Sequence, residues 1–235
     1  MRMPPPVAPS GDPDERNYKS PKFSLGTLTT ITIYHDYLCP WCWAGWIHAV
    51  RLKQEFGVTF DWRGAELIPP GMAYEPGPPT PVDPNAPPKP PSRFDLFLQS
   101  EGIELPTPRP SFVRTHSALL GAEYARTQGP EMADAYHEAI YRAYWERRED
   151  IADLAVLARL GAGIGLDPDA LRASIVSEEF DEMILPYDDD AYANGIRHVP
   201  SFIFNGEELV AEAPYSTLAA ATERFLVRAA KFKKE

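Results

Sequence analysis

The chain of 235 residues contains two cysteines, and both lie in the segment Cys39-Pro40-Trp41-Cys42. Two thiols separated by two residues can close a small disulfide ring and reopen it, which is the chemistry of thiol–disulfide exchange. The thiolate is the nucleophile in such exchange. Cys39 and Cys42 are therefore the candidate catalytic residues. Their own disulfide would serve as the redox group, so we expect no separate cofactor.

The sequence around these cysteines predicts a strand before them and a helix after them. The strand covers Thr30 to Tyr34, and the helix covers residues 43–52. Cys39 would then lie at a helix N-terminus, where free N–H groups and the helix dipole favour an anion. We expect Cys39 to be an exposed attacking thiolate. Cys42, one turn into the helix, would be the more buried resolving thiol.

Charge and composition exclude several functions. The net charge of −11 disfavours nucleic acid and anionic membrane surfaces as partners. No run approaches the roughly 18 apolar residues of a spanning helix, and residues 1–10 lack the apolar core of a secretory signal. We therefore expect a cytoplasmic protein. In that compartment a lone CxxC is more often catalytic, redox-sensing or metal-binding than a stable disulfide.

The first half of the chain predicts a β-α-β unit between two irregular segments. Residues 1–26 mix proline, glycine and charges without periodicity and predict a flexible N-terminal tail. A second strand around residues 58–63 completes the β-α-β unit. Proline then dominates residues 69–92 and predicts an extended loop, with polyproline II character at 87–91.

The second half predicts helices followed by a β-hairpin and a last helix. Apolar residues recur at helical spacing from about residue 111 to 195, and Asp167-Pro168 is a typical helix start. Phe202 to Phe204 predicts a strand, Asn205-Gly206 a type I′ turn and 207–210 the returning strand. The final helix begins at Tyr215.

This element order predicts an α/β protein with a thioredoxin-like fold and a mixed central sheet. Residues 27–92 and 196–235 would form the thioredoxin-like domain, and residues 93–195 would form a large all-helical insertion.

Two motifs give the chain a specific resemblance. Cys39-Pro40-Trp41-Cys42 after a strand, together with Val199-Pro200 before a Phe-Ile-Phe strand, resembles the DsbA-like family over about residues 28–230. Within that family, the chain is similar to the cytoplasmic FrnE-type branch and to 2-hydroxychromene-2-carboxylate isomerases. The resemblance implies a protein disulfide oxidoreductase or isomerase. It also implies a cis Pro200 that faces the CxxC motif, with the Val199 backbone pairing with an extended substrate.

Three further residues complete the predicted substrate-binding set. Pro40 would rigidify the ring, and Trp41, which has no titratable proton, would give a less oxidising couple than a histidine there. His198 would tune Cys39 or donate to substrate, and an exposed loop histidine without a role is the alternative. His35 is a weaker candidate. The other histidines and three tryptophans are expected to pack in the core or on helix surfaces: His48, His116, His137, Trp43, Trp46 and Trp62.

The sequence leaves several functions open. A glutathione-dependent isomerase or kappa-class transferase-like enzyme acting on a small aromatic substrate is one alternative, although such enzymes typically carry serine at the position of Cys39. A metal-binding module would need ligands beyond one CxxC. A non-catalytic redox sensor would use the same thiols. The expected partner is a disulfide- or dithiol-containing protein or a small thiol, with glutathione as a candidate co-substrate. Monomer and homodimer both stay open.

Overall fold

The structure is a computed structural model that describes residues 29–74, 90–187, 189–193 and 195–232. The predicted flexible tail at 1–26 lies outside the described residues. The central part of the proline-rich loop, including residues 87–89 of the polyproline segment, also lies outside them.

A five-stranded mixed sheet forms the centre of the fold, with strand order β3-β2-β1-β4-β5. Strands β1, β2 and β3 are parallel, while β4 runs antiparallel to β1 and β5 antiparallel to β4. In the register, Thr30 pairs with Thr59 and His35 with Gly64. The strands are β1 (Thr30–His35), β2 (Thr59–Glu66), β3 (Leu185–Pro186), β4 (Ser201–Phe204) and β5 (Glu208–Ala211).

Helix α1 (Pro40–Phe56) follows β1 and carries Cys42 in its first turn. Cys39 is its N-cap and Pro40 its first residue, a position where the missing proline N–H costs nothing. The helix ends at Gly57, whose φ of 66° is the left-handed conformation that glycine adopts without strain. It is longer at both ends than the 43–52 segment that the sequence predicts.

Seven further helices follow β2 in the described part of the chain. A π-helical turn at Arg142–Glu146 continues α4, and a 3₁₀ turn at Asp181–Met183 precedes β3. The helices are α2 (Arg93–Glu101), α3 (His116–Thr127), α4 (Pro130–Tyr141), α5 (Leu154–Gly163), α6 (Pro168–Val176), α7 (Asp189–Ala193) and α8 (Tyr215–Phe232).

The thioredoxin-like α/β architecture with a mixed sheet and a long helical segment is confirmed. Asn205 and Gly206 both have positive φ, 54° and 68°, as a type I′ turn requires. The Asp167 side chain caps α6 through the backbone N–H groups of Asp169 and Ala170. Helix α2 precedes the region of clear helical periodicity. Strand β3 lies within residues 93–195, so this segment is not entirely helical. The strand has two residues and is too short to show a pattern in the sequence.

One continuous core joins the sheet, α1, α8 and helices α3 to α7, while Phe94 and Leu98 of α2 form a second, small cluster with Ala44. Ile31 and Ile33 of β1 are buried in it together with Tyr136, Ile140 and Tyr141 of α4. The predicted core tryptophans Trp43, Trp46 and Trp62 are buried there as well, which confirms that prediction. In the described part of the chain, no helix has the length and hydropathy needed to cross a bilayer.

Candidate active site

The CxxC motif lies where β1 ends and α1 begins. The Cys39 N–H donates to the carbonyl of Asp36 at 3.2 Å, which turns the chain out of the strand. The Cys42 N–H donates to the carbonyl of Cys39 at 3.0 Å and closes the first turn of α1. Both cysteines are free thiols. Cys39 therefore sits at the positive end of a 17-residue helix, as the sequence predicts.

The two thiols differ in accessibility. Cys39 is 7% exposed and Cys42 is 1% exposed. The expectation of an exposed Cys39 is thus wrong, because the loop that carries Val199 packs over it, but Cys42 is the more buried of the two as expected. Burial is the main cause that raises the pKa of the Cys42 thiol well above its usual value, and the neighbouring Cys39 adds to it. Cys42 is a protonated, shielded thiol.

The Val199–Pro200 peptide bond is cis, which confirms the conformation that the resemblance implied. The Cys39 thiol lies 3.5 Å from the carbonyl oxygen of Val199, at the long end of a sulfur hydrogen bond. Gly45 makes this approach sterically feasible, because a Cβ at that position would lie 2.7 Å from Cγ of Pro200. The structure therefore brings Cys39, Val199 and Pro200 together.

Trp41 is held by helix α2, which the sequence did not connect with the site. Its ring centroid lies 4.7 Å from that of Phe94 and 4.8 Å from that of Phe97. The guanidinium of Arg93 lies 4.9 Å from the Trp41 ring centroid, within cation–π range. The N-terminus of α2 is fixed by a capping box between Ser92 and Asp95. The second variable residue of the motif is therefore part of a packed aromatic surface.

His198 is at the rim of the site, next to Val199, and its ion-pair partner is a carboxylate. Its side chain is 61% exposed, and its Nδ1 lies 3.6 Å from Oε1 of Glu212. Arg93 binds the other oxygen of the same carboxylate at 3.0 Å. The Glu212 N–H in turn donates to the carbonyl of Pro200 at 3.4 Å. His198 thus belongs to an ion-pair network beside the cis-proline loop. It does not pair with Cys39.

Asp36, three residues before Cys39, is a site residue that the sequence analysis did not assign. Its carboxylate is completely buried and accepts hydrogen bonds from the N–H groups of Leu38 at 2.9 Å and Leu67 at 2.7 Å. The Thr115 side chain also hydrogen-bonds to it. Burial raises the pKa of Asp36 to about 6, and the neighbouring Glu66 contributes in the same direction. The Asp36 backbone hydrogen-bonds to Cys42, and the Asp36 charge makes the smallest of several contributions that raise the pKa of that thiol.

A buried layer of rings lies behind the motif. His35 Nδ1 and the Tyr141 hydroxyl are 2.9 Å apart, and the Tyr37 hydroxyl and His137 Nδ1 are 2.6 Å apart. Burial lowers the pKa of His35 to about 3, so His35 is neutral at ordinary pH. The indole N–H of Trp145 donates to the carbonyl of Tyr37 at 3.0 Å. His35 supports the loop before Cys39 as a neutral packing residue, and His137 packs as the sequence predicts.

The described ranges contain no group of three or more histidine, cysteine or acidic side chains arranged to hold a metal. A surface cavity of about 560 Å³ lies between α1, β2 and α4 and has neither cysteine in its wall. Its floor contains Trp46, Phe60 and Trp62. The thiol site is therefore separate from this cavity.

Sequence and structure comparisons point to one family. The model of the DSBA-like thioredoxin domain matches residues 30–223. An uncharacterized protein of Bacillus subtilis (strain 168), YwbO, is 24% identical over 181 residues, which is 74% of this chain and 85% of YwbO.

Three solved structures share the fold. A 2-hydroxychromene-2-carboxylate isomerase matches with a TM-score of 0.61 at 19% identity, over 86% of this chain and 98% of its own. A probable DsbA oxidoreductase from Streptomyces coelicolor matches with 0.63 at 20% identity, over 83% and 89%. The cytosolic disulfide reductase DsbM from Pseudomonas aeruginosa, captured with glutathione, matches with 0.52 at 16% identity, over 88% and 100%. The fold, the CxxC helix and the family match together establish that this chain belongs to the DSBA-like thioredoxin domain family.

Proposed function

We propose that the protein is a thiol–disulfide oxidoreductase that works through Cys39 and Cys42. The observation that carries the proposal is the position of Cys39. It caps α1, it faces the Val199 carbonyl at 3.5 Å, and it is followed within one turn by a more buried thiol. A substrate disulfide that approaches along the cis-proline loop would reach Cys39 before Cys42.

In the proposed reaction the Cys39 thiolate attacks one sulfur of a substrate disulfide. The substrate S–S bond breaks, a mixed disulfide forms, and the first substrate sulfur leaves as a thiol after taking up a proton. Cys42 then loses its proton and attacks Cys39, which releases the second substrate sulfur. The substrate gains two electrons, and the Cys39–Cys42 pair is oxidised to a disulfide. The same steps in reverse would oxidise a substrate dithiol.

Asp36 is the proposed proton acceptor for Cys42. The thiol is buried, so its proton needs a nearby base before the sulfur can attack. The Asp36 carboxylate is the acid whose charge acts on that sulfur besides the charge of Cys39. Its pKa of about 6 allows it to be ionised at neutral pH and still accept a proton readily. This assignment explains why a fully buried carboxylate lies beneath the motif.

The proposed substrates are disulfide- or dithiol-containing proteins or small thiols, with glutathione as a co-substrate. The glutathione-bound DsbM structure has the same fold and supports this choice. The cytosolic description of DsbM also supports a cytoplasmic location for this chain.

A glutathione-dependent isomerase is the alternative, because the isomerase structure matches over 98% of its length. Isomerase chemistry would need one activated thiol and not a resolving partner. Activity that survives Cys42→Ser would therefore favour the isomerase.

Equilibration with glutathione buffers of defined ratio tests the proposal. Trapping with acid, alkylation and mass spectrometry should show Cys39 and Cys42 oxidised together in one two-electron step. The Cys42→Ser variant should stop at a mixed disulfide between Cys39 and glutathione, and Cys39→Ser should form neither species. Failure of the wild-type pair to form an intramolecular disulfide would refute the proposal.

A further inference from the structure

Closing the disulfide requires a proton to leave the protein interior. Cys42 is 1% exposed and Asp36 is completely buried, so neither can exchange its proton directly with bulk water. A proton accepted by Asp36 must reach the surface before the next turnover. This exit matters only if the protein exchanges disulfides as proposed above.

A second buried acid lies next to Asp36. Glu66 is the last residue of β2, and the N–H of the following Leu67 donates to Asp36 Oδ2 at 2.7 Å. Asp36 also hydrogen-bonds to Thr115, and Glu66 contacts the next residue, His116, so both carboxyl groups lie between the same two segments of the chain. The Glu66 charge makes a small contribution to raising the pKa of Asp36. Glu66 is itself buried, and its Oε1 has no hydrogen-bond partner among the described residues. An unpaired buried oxygen is costly, and a proton or a water molecule would satisfy it.

The other oxygen of Glu66 contacts a histidine that is more exposed to solvent than Glu66 is. Oε2 lies 2.9 Å from Nδ1 of His116, the first residue of α3. Nε2 of His116 lies 3.5 Å from Oδ1 of Asp181, whose side chain is 60% exposed. The His116 side chain is 15% exposed. Exposure therefore rises from Glu66 through His116 to Asp181.

The charged groups that act on His116 are all acidic. Its pKa is raised, chiefly by the hydrogen bond with Glu66, and the charges of Glu66, Asp181 and Glu178 add to the effect. Histidine has two ring nitrogens, so it can take a proton on one side and release another on the other side. The ring therefore has suitable geometry and charge for passing a proton between the interior and the surface.

We propose that Glu66 and His116 form a proton relay that connects Asp36 with solvent during disulfide exchange. When Cys42 attacks Cys39, the Cys42 proton passes to Asp36 and the S–S bond to the substrate breaks. The proton then passes from Asp36 to Oε1 of Glu66, directly or through one water. His116 releases a proton from Nε2 beside Asp181. One proton enters the relay and one leaves it, and the electrons stay with the sulfur atoms.

A relay changes the rate of exchange and leaves its equilibrium unchanged. A purely structural role for Glu66 and His116, joining β2 to α3, would instead change stability or affect both chemical steps. The test therefore measures the two steps separately. Reduced protein is mixed with oxidised glutathione and quenched with acid, and mass spectrometry follows the mixed disulfide and the intramolecular disulfide over time.

The variants are Glu66→Gln and His116→Gln, which keep hydrogen-bonding groups but block proton transfer. Both should form the mixed disulfide at the wild-type rate and resolve it about tenfold more slowly, with an unchanged equilibrium constant against glutathione. The matched control is His48→Gln. His48 also pairs with a glutamate, Glu101, at 3.2 Å, but it lies in α1, whereas the Glu66–His116 pair joins β2 to α3. It should resolve at the wild-type rate.

Chemical rescue separates the relay from a change in shape. Added imidazole should accelerate resolution in His116→Ala in proportion to its concentration and leave wild type unaffected. Resolution at the wild-type rate in Glu66→Gln and His116→Gln would overturn the relay, as would equal slowing of both steps. If His116→Ala does not fold, the two glutamine variants decide the question. Absence of an intramolecular disulfide in wild type would refute the proposed function instead.

Discussion

The carbonyl oxygen of Val199 lies 3.5 Å from the Sγ of Cys39, although the two residues are 160 positions apart in the chain. This contact joins the loop before β4 to the start of α1. It places the sulfur that we propose as the attacking one beside the backbone that we expect to pair with an extended substrate.

The first prediction concerns the order in which the thiols react. Cys39 keeps 7% of its surface exposed and Cys42 keeps 1%, so iodoacetamide should modify Cys39 at least about tenfold faster in the reduced protein. Peptide mapping after timed quenching measures both rates. In denaturant the two rates should become similar, which serves as the control. Faster modification of Cys42 would contradict the assignment of roles.

The second prediction concerns the contact between α1 and the cis-proline loop. A Cβ in Gly45→Ala would lie 2.7 Å from Cγ of Pro200, so the loop must move. We expect a loss of about 1–3 kcal/mol in the free energy of unfolding and slower exchange with oxidised glutathione. Gly163→Ala, where no atom lies within 4 Å of the new Cβ, is the control and should be neutral or slightly stabilising. Equal stability of the two variants would show that α1 and Pro200 are not tightly packed.

The third prediction concerns the pH dependence of the resolving step. Asp36 accepts a proton only when ionised, and its pKa is raised to about 6. Resolution of the mixed disulfide should therefore increase as pH rises through about 6. Asp36→Asn should lack this inflection and resolve more slowly by about tenfold or more, because the amide cannot accept the proton. The measurement is quenched-flow mass spectrometry between pH 4.5 and 8. An unchanged profile in Asp36→Asn would remove Asp36 from the mechanism.

The fourth prediction concerns acid stability. The pKa of His35 is lowered from 6.5 to about 3, so the folded state keeps it neutral while the unfolded chain takes up a proton below pH 6.5. The contribution of neutral His35 to the free energy of unfolding is fully present above pH 6.5. It decreases by about 1.4 kcal/mol per pH unit as the pH falls toward 3. Denaturant unfolding should show a shallower pH dependence for His35→Gln than for wild type.

The exposed His198 provides the comparison for that series. Its side chain is 61% exposed, so His198→Gln replaces a histidine outside the core and should lower the free energy of unfolding less than His35→Gln does. A His35→Gln curve that runs parallel to wild type would mean that His35 is protonated in the folded protein.

The sequence predicted the parts of the site that depend on local pattern. A strand followed by Cys39-Pro40-Trp41-Cys42 and a helix is readable because strand and helix periodicities differ and Pro40 suits a first helical turn. The hairpin at Asn205-Gly206 is readable because both residues tolerate positive φ. The position of Val199-Pro200 against Cys39 followed from family resemblance, since no local pattern reports a contact across 160 residues.

The missed residues depend on tertiary contacts. Asp36 is polar and follows a strand, so its burial could not be inferred without knowing that Leu67 and Thr115 meet it. Glu66 and His116 are 50 residues apart and come together only because α3 packs beside β2. The expected exposure of Cys39 failed for the same reason, since the covering loop comes from the other end of the fold. His198 lies in a loop near the site, as the sequence predicts, but its contact in the described structure is with Glu212.

Aromatic packing against α1 makes the thioredoxin-like part of the fold depend on the segment between β2 and β4. Tyr141 stacks on Trp46, and Trp145 lies against Trp43, so rings from the segment between β2 and β4 cover the inner side of α1. Excising that segment would expose two tryptophans and deprive His35 of its hydroxyl partner. The thioredoxin-like part alone would then have no complete hydrophobic core. Because the two parts share one core, the intact protein should unfold in a single calorimetric transition.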